Sequence, residues 1–419
     1  MDQGNKNILS INGGSSSIKF SLYDIQGSLN RRLTGKIERI GRADAVLTFT
    51  DMLSGQQEQS GSAQEGRLGS GLEGRLGSGQ RGQLPVRAPG MREAADFLLD
   101  WLRQREGGMQ LSAVGHRIVH GLGHREPAII DENLLAELQR ISGYDPDHLP
   151  GEIELVRLFG RHDPALRQVA CFDTAFHASL PRVARLLPLP RRYDQAGLQR
   201  YGFHGLSYSY ILGELTRIAG PAVAGGSVIM AHLGSGASLA AVKGGYSIDT
   251  TMGFTPTGGI VMGTRTGDLD PGAAWWILQK EGLTASQFSD LVNHQSGLLG
   301  VSGISSDMQE LLARESSDVA AAEAVALFCY QVKKSIGAFS AALGGLDALV
   351  FTGGIGEKSS MIRSRICAGL DYLGIGLEQR ANEKNELLIS AAGSRAGVYA
   401  IPTDEEIMIA RETIKLLNV

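Results

Sequence analysis

Cysteine is scarce: Cys171, Cys329 and Cys367 are the only three, an odd number and widely spaced. That argues against a disulfide framework or a zinc ribbon and fits a reducing cytoplasm. No apolar run reaches the roughly 20 residues a membrane span needs, so no membrane partner is expected. Met1 to Asn7 is polar, with no signal-peptide core behind it. Neither sign of charge dominates: 40 basic residues face 44 acidic ones, net −4, which disfavours a nucleic-acid surface. At 20% charged and 42% apolar, the chain is not of a disordered class. No Walker A pattern occurs, which disfavours a P-loop NTPase. The excess is in glycine, 56 residues clustered at the ends of apolar runs, where backbone approaches ligands. A length of 419 residues fits two domains better than one core.

Ile8 to Ile11 is apolar and runs into Gly13-Gly-Ser-Ser-Ser17, after which Ile18, Phe20 and Leu22 alternate with polar residues. This reads as strand, tight turn, strand. The same grammar returns at Val228-Ile-Met230, His232-Leu-Gly-Ser-Gly-Ala-Ser238 and Leu239 to Val242. The two glycine turns lie 220 residues apart, about half the chain, which is compatible with a duplication or with two unrelated hairpins. Residues 55–90 change character: Glu65-Gly-Arg-Leu-Gly-Ser70 recurs as Glu73-Gly-Arg-Leu-Gly-Ser78, with little apolar content. The expectation is a flexible insertion. Its formal G-x-G-x-x-G matches follow no strand and open no helix, so they carry no dinucleotide reading. Apolar spacing predicts helices at 91–105, 131–142, 151–159, 272–280, 317–343, 359–370 and 405–417, and strands at 113–119, 168–172, 227–232, 348–352 and 397–401. Strands and helices alternate after each hairpin, which predicts α/β architecture with mixed sheets.

Three glycine turns end apolar runs: Asn12 to Ser17, His232 to Ser238, and Thr352-Gly-Gly-Ile-Gly-Glu357. Exposed backbone N–H groups there suit phosphate. Gly115-His-Arg-Ile-Val-His-Gly121 carries Arg117, Phe172-Asp-Thr-Ala-Phe-His177 carries Asp173, and Tyr201-Gly-Phe-His-Gly205 carries His204. Asp249-Thr-Thr-Met-Gly-Phe-Thr-Pro256 leads to Met262-Gly-Thr-Arg265, and Pro402-Thr-Asp-Glu-Glu406 opens the last helix. Phosphoryl transfer draws on these residue types, because planar Arg donors and imidazole meet charge on the equatorial oxygens and carboxylates hold a hard cation. Singly, each has a plainer reading: a core histidine, a buried ion pair, or an N-cap at Thr403 or Asp404. Their joint occurrence favours a nucleotide or phosphate site.

These motifs, in this order from Ile8 to Glu406, resemble the acetate and propionate kinase family, within the sugar kinase, heat-shock protein and actin superfamily. The resemblance implies two duplicated actin-like ATPase domains of ribonuclease H-like topology, with mixed sheets flanked by helices and an interdomain cleft. It divides the chain into 1–173 plus 406–419 and 174–405. It implies Mg²⁺-dependent phosphoryl transfer between ATP and a short-chain carboxylate, acetate first and propionate second, with ADP as the other nucleotide and Mn²⁺ able to replace Mg²⁺. The implied catalytic residues are Arg117, Asp173, His204 and Arg265. Lys19, His232, Gly234, Gly236, Asp307, Gly354, Ile355 and Gly356 would meet the nucleotide. Arg117, Val119, Phe203 and Pro256 would form the acyl pocket, and Asn12 and Glu405 would hold the metal. A cytoplasmic homodimer is also implied.

Departures from the family pattern fall in two places. The family's Pro-Leu-His-Asn-Pro, upstream of a Gly-Ile helix, is here Ser142-Gly-Tyr-Asp-Pro146, so Gly143 and Tyr144 replace the pocket Leu and the His. Asp307-Met-Gln309 lacks the family's Arg near the adenine, and Lys358 replaces an Asn. The acyl pocket and the base site are therefore expected to differ. A superfamily kinase acting on a hydroxyl, or a nucleotide-binding protein without turnover, are the readings from other classes.

Overall fold

The structure, a computed structural model, describes residues 7–14, 16–25, 29–52, 80–105 and 111–418. The chain forms two units, one from Met1–Phe172 with Glu405–Val419, the other from Asp173–Asp404. The partition falls one residue before each expected boundary. Glu405 opens a helix that packs on the first unit's sheet, whereas the Asp173 carbonyl accepts the Gly205 N–H of the second unit at 2.9 Å.

The first unit holds an eight-stranded sheet. Its strands are β1 (Asn7–Gly13), β2 (Ile18–Asp24), β3 (Asn30–Glu38), β4 (Val46–Asp51), β5 (Gln80–Pro85), β6 (Leu111–Ile118), β7 (Ala128–Ile129) and β8 (Arg167–Phe172). Their order is β5-β4-β3-β2-β1-β6-β8-β7. β1 pairs antiparallel with β2 and parallel with β6, and β6 is parallel to β8. All seven residues of β1 are buried, as expected for a strand covered on both faces. On one face, helices α1 (Met91–Gln104) and α3 (Leu149–His162) pack around Leu9, Phe20, Leu98 and Phe159. Helix α2 (Glu132–Ile141), capped by the Asp131 carboxylate on the Leu134 N–H, packs against α3. The other face takes the C-terminal helix, Glu405–Leu417, through Ala410, Ile407 and Ile414 around Ile8 and Tyr23. That helix lies so close that a Cβ on Gly115 would come within 2.3 Å of the Thr413 hydroxyl.

The end of the expected insertion is ordered. Residues 80–85 form β5, antiparallel to β4, and Val86 and Ala88 are buried. The strand shows no apolar alternation because it is an edge strand, mostly exposed along its length. The Glu65 and Glu73 repeat lies outside the described residues.

The second unit's strands are β9 (Ser227–Leu233), β10 (Ala237–Lys243), β11 (Tyr246–Thr250), β12 (Ala348–Thr352) and β13 (Gly397–Ala400), ordered β11-β10-β9-β12-β13. Here too an antiparallel hairpin, β9 with β10, continues into parallel neighbours, β9 to β12 to β13. The sequence β3-β2-β1-β6-β8 of the first sheet has the same connectivity, so the paired hairpins are a duplication at the level of topology. A 25-residue helix, Val319–Leu343, starts at the Asp318 cap, ends at left-handed Gly344 and packs on β9 and β10. Among the described residues, no helix is long and apolar enough to cross a membrane.

Candidate active site

In the first unit, the expected residues gather at the carboxyl ends of the parallel strands. Register places Ile11 of β1 beside His116 of β6, so Asn12 and Arg117 are neighbouring positions on adjacent strands. The Asn12 amide donates to Glu405 Oε2 at 2.9 Å. Val119, the residue directly after β6, is buried, and its N–H donates to Glu152 Oε2 at 2.9 Å. Arg117 Nη1 meets Glu152 Oε1 at 3.4 Å. Lys19 lies on β2 opposite Asn12 and lines an open groove of about 670 Å³ with Lys36, Arg81 and Glu406. Tyr144 packs edge-on to His120, with ring centroids 6.1 Å apart.

In the second unit, His204 precedes the helix Gly205–Ala219 and holds a left-handed backbone, φ 59°. A non-glycine residue there is strained, and such strain concentrates at functional sites. Gly205 must follow it: a Cβ would lie 2.2 Å from the Asp173 carbonyl oxygen. Asp173, just after β8, is itself 1% exposed. His204 and His232 stack, centroids 4.2 Å apart and planes 20° from parallel. Each ring is fixed at Nδ1 by a hydroxyl: His204 by Ser238 Oγ at 2.9 Å, and His232 by Ser207 Oγ at 2.8 Å. Ser238 continues to the Tyr208 hydroxyl at 2.6 Å, and Ser207 to Thr403 Oγ1 at 2.8 Å. Burial pushes the Tyr208 phenol well above its usual range, so this chain stays protonated and can orient the imidazole.

The glycine turn at 234–236 is the common neighbour. A Cβ on Gly236 would lie 3.5 Å from His204 Nε2 and 3.6 Å from Arg265 Nη1, and one on Gly234 would lie 3.8 Å from His232 Nε2 and 3.9 Å from the Gly354 nitrogen. Arg265 Nη1 also donates to the Pro256 carbonyl at 3.3 Å. Phe203 is buried, held by its carbonyl on His177 Nε2 at 3.0 Å. The third turn is tighter than a loop. Helix Gly353–Lys358 begins directly after β12, with Gly353 at φ 76° and its Cβ position 2.7 Å from the Leu233 carbonyl. Gly354, Ile355 and Gly356 thus belong to a helical first turn whose N-terminus abuts Gly234. Glu357 Oε1 accepts the N–H groups of Gly353 and Thr403, both at 3.0 Å. Asp307 caps the helix Met308–Arg314 through the N–H groups of Gln309 and Glu310; the neighbouring Ser306 carbonyl lies near Gly263, which bonds Ser235.

Several supporting residues escape sequence reading. Ser238 lies inside a quoted motif, and Ser207 two residues beyond one. Glu152 has a signal only in the acidic residue that follows Gly151. Arg363, fully buried, has none, yet it donates to the Gly356 carbonyl at 2.7 Å and to Asn382 and Asn385.

Glu405 and Asn12, the residues expected to meet a cation, lie together, joined by the 2.9 Å bond. Among the described residues, no group of three or more His, Cys, Asp or Glu could hold a metal. Hard oxygen donors in small number fit Mg²⁺, which keeps several waters and takes one or two carboxylates plus phosphate.

Residues 7–411 match the profile of the Acetokinase family. The acetate kinase of Rhodopseudomonas palustris (strain TIE-1) is 47% identical over 329 residues, 78% of this chain and 82% of its own length. The propionate kinase of Citrobacter rodentium is 39% identical over 98% of this chain and 96% of its own. The crystal structure of Porphyromonas gingivalis acetate kinase superposes with a TM-score of 0.82 at 33% identity, covering 98% of this chain and all of that one. With the family profile spanning nearly the whole chain and both hairpin sheets in place, this chain belongs to the Acetokinase family.

Proposed function

We propose that the protein is an acetate kinase, transferring the γ-phosphoryl group of ATP to acetate by direct in-line attack, reversibly, to give acetyl phosphate and ADP. The observation that carries this is the cluster of His204, His232 and Arg265 around the Gly234–Gly236 turn, in a chain of this family. A carboxylate is already ionised at pH 7, so no general base is needed. Catalysis is then positioning and charge stabilisation. His204 donates from Nε2 to the equatorial oxygens in flight, and Arg265 adds a planar donor on the same side. Arg117 takes the acid's carboxylate, and Asp173 orients the reacting groups. Val119, Phe203 and Pro256 border the acyl group. Lys19, His232, Gly234 and Gly236 serve the phosphates, and Asp307 with Gly354, Ile355 and Gly356 serves the nucleoside. Asn12 and Glu405 would hold Mg²⁺, with Mn²⁺ as a substitute; the cation supplies charge neutralisation on the phosphate oxygens.

Propionate is the second reading. Relatives named propionate kinase include one that is 39% identical over 98% of this chain. A homodimer is supported by helix Pro271–Glu281, which buries no residue and exposes Trp275 and Trp276 at 65% and 57%. Three buried thiols and the use of ATP suit a cytoplasmic location.

The test is acyl phosphate formation, trapped as the hydroxamate, with Mg-ATP and formate, acetate, propionate or butyrate. The expected maximum is at acetate, with propionate next. No hydroxamate from any acid, alongside measurable ATP binding, would overturn the proposal.

A further inference from the structure

We infer that Glu152 is a positioning residue for Arg117 and that it restrains the enzyme's ground-state affinity for its acid substrate. The inference rests on the reading that Arg117 meets the substrate carboxylate. Glu152 is 3% exposed. A carboxylate at that depth is costly unless it is paired. Its two oxygens each have a donor at the end of β6: Oε2 takes the Val119 N–H at 2.9 Å, and Oε1 faces Arg117 Nη1 at 3.4 Å. It stands in the first turn of α3, where the helix end favours negative charge. Its stem reaches β1 as well, since a Cβ on Gly13 would lie 3.9 Å from Glu152 Cγ. One side chain therefore lies beside the strand ends that carry Asn12 and Arg117.

The contact between Glu152 Oε1 and Arg117 Nη1 is long, at 3.4 Å. Elsewhere in the chain, Arg365 grips Glu315 with two bonds of 2.7 Å each, the fork geometry that locks a guanidinium. Glu152 meets Arg117 through a looser contact than that fork and orients it. It also places a negative charge where the incoming acid must place its own. The resident carboxylate and the substrate carboxylate then compete for one guanidinium. Competition weakens binding of the free acid, while the orientation it imposes serves the transition state.

Glu152→Gln separates the two effects. Its single amide oxygen can keep the 2.9 Å Val119 bond, but its NH₂ group then faces Arg117 and releases it. The experiment compares wild type and Glu152→Gln as whole proteins in two assays. The first is steady-state kinetics with acetate and Mg-ATP. The second is phenylglyoxal modification of Arg117, followed by peptide mass spectrometry. The acetate KM is expected to fall about fivefold as the competing charge goes. The kcat is expected to fall about tenfold as the guanidinium loses its orientation. The ATP KM should hold, and Arg117 should be modified several times faster. A variant whose acetate KM, kcat and Arg117 modification all stay within about twofold of wild type would overturn the inference, even if its melting temperature dropped. If wild type makes no acyl phosphate, the proposed function fails, and the modification rate still decides whether Glu152 holds Arg117.

Discussion

His177 should stay neutral in the folded protein far below its ordinary pKa, and acid should therefore weaken the second unit. It is 1% exposed, and both ring nitrogens are engaged, Nδ1 with Ser247 Oγ at 2.8 Å and Nε2 with the Phe203 carbonyl at 3.0 Å. The neutral ring matches both partners: Nε2–H donates to the carbonyl, and Nδ1 accepts the hydroxyl. Burial lowers its pKa from 6.5 to about 4, opposed by the Phe203 carbonyl and helped by Arg200. The unfolded chain would bind the proton first as pH falls. This contribution is thus complete above about pH 6.5 and is lost as pH drops toward 4. The gap is worth roughly 3 kcal/mol in full, with about 2 kcal/mol of it gone between pH 7 and pH 5. Because Phe203 and His204 follow one another, the loss falls on the segment that carries a proposed catalytic residue. The assay is a ¹³C-histidine NMR titration of the folded enzyme, with His177→Gln to assign the signal. The His177 resonance should keep its neutral shift down to pH 5, and urea unfolding of the wild type should weaken from pH 7 to pH 5 by about 2 kcal/mol more than that of the variant. A folded-state titration near pH 6.5 would refute the reasoning. His116, buried against Gln168 and also lowered to about 4, is the corresponding probe in the first unit.

Two further outcomes follow from the supporting residues. Ser238→Ala cuts His204 off from the Tyr208 hydroxyl; kcat should fall about 10²-fold with a shifted pH profile, ATP binding should hold, and Ser238→Thr should restore part of the rate. Turnover close to wild type would mean the hydroxyl chain does not orient the imidazole. Arg363→Met removes the donors that hold the Gly356 carbonyl, Asn382 and Asn385; it should cost about 3–5 kcal/mol of stability in urea unfolding and raise the ATP KM. An unchanged ATP KM would show that the Gly354–Gly356 turn stands without this brace.

What could be read from the sequence followed from periodicity and chemistry. The helix at 405–417, the strand at 348–352 and the long helix ending at Leu343 carry strong apolar spacing and clear stops, and they stand as expected within a residue or two. β3 and β4 were not legible, because their inward residues are spaced among Lys and Thr that face the open groove, Thr34, Lys36, Thr48 and Thr50. The helix Gly205–Ala219 hid behind its own motif: it starts at a glycine, follows a left-handed histidine and has no side-chain cap. The helix Ala285–His294, by contrast, has a full capping box between Thr284 and Gln287 that was there to be read. The motif residues of the site were legible because phosphoryl chemistry restricts their type. Their supports were not, since Ser238 and Glu152 act through neighbours some 30 or more residues away and Arg363 through a carbonyl and two asparagines that no motif marks.

The C-terminal helix that covers β1, β2, β6 and β8 has a consequence for how the protein is made. The first unit is interrupted, with all of Asp173–Asp404 translated before Glu405–Leu417 appears. At usual elongation rates that interval is on the order of tens of seconds. During it, the second unit can finish folding, while Ile8 and Tyr23 wait for Ile407, Ala410 and Ile414. The domain that leaves the ribosome first is thus the last to close, with an apolar sheet face open to chaperones throughout. A premature stop that removes only the last helix would spoil the oldest part of the chain and leave the newest intact.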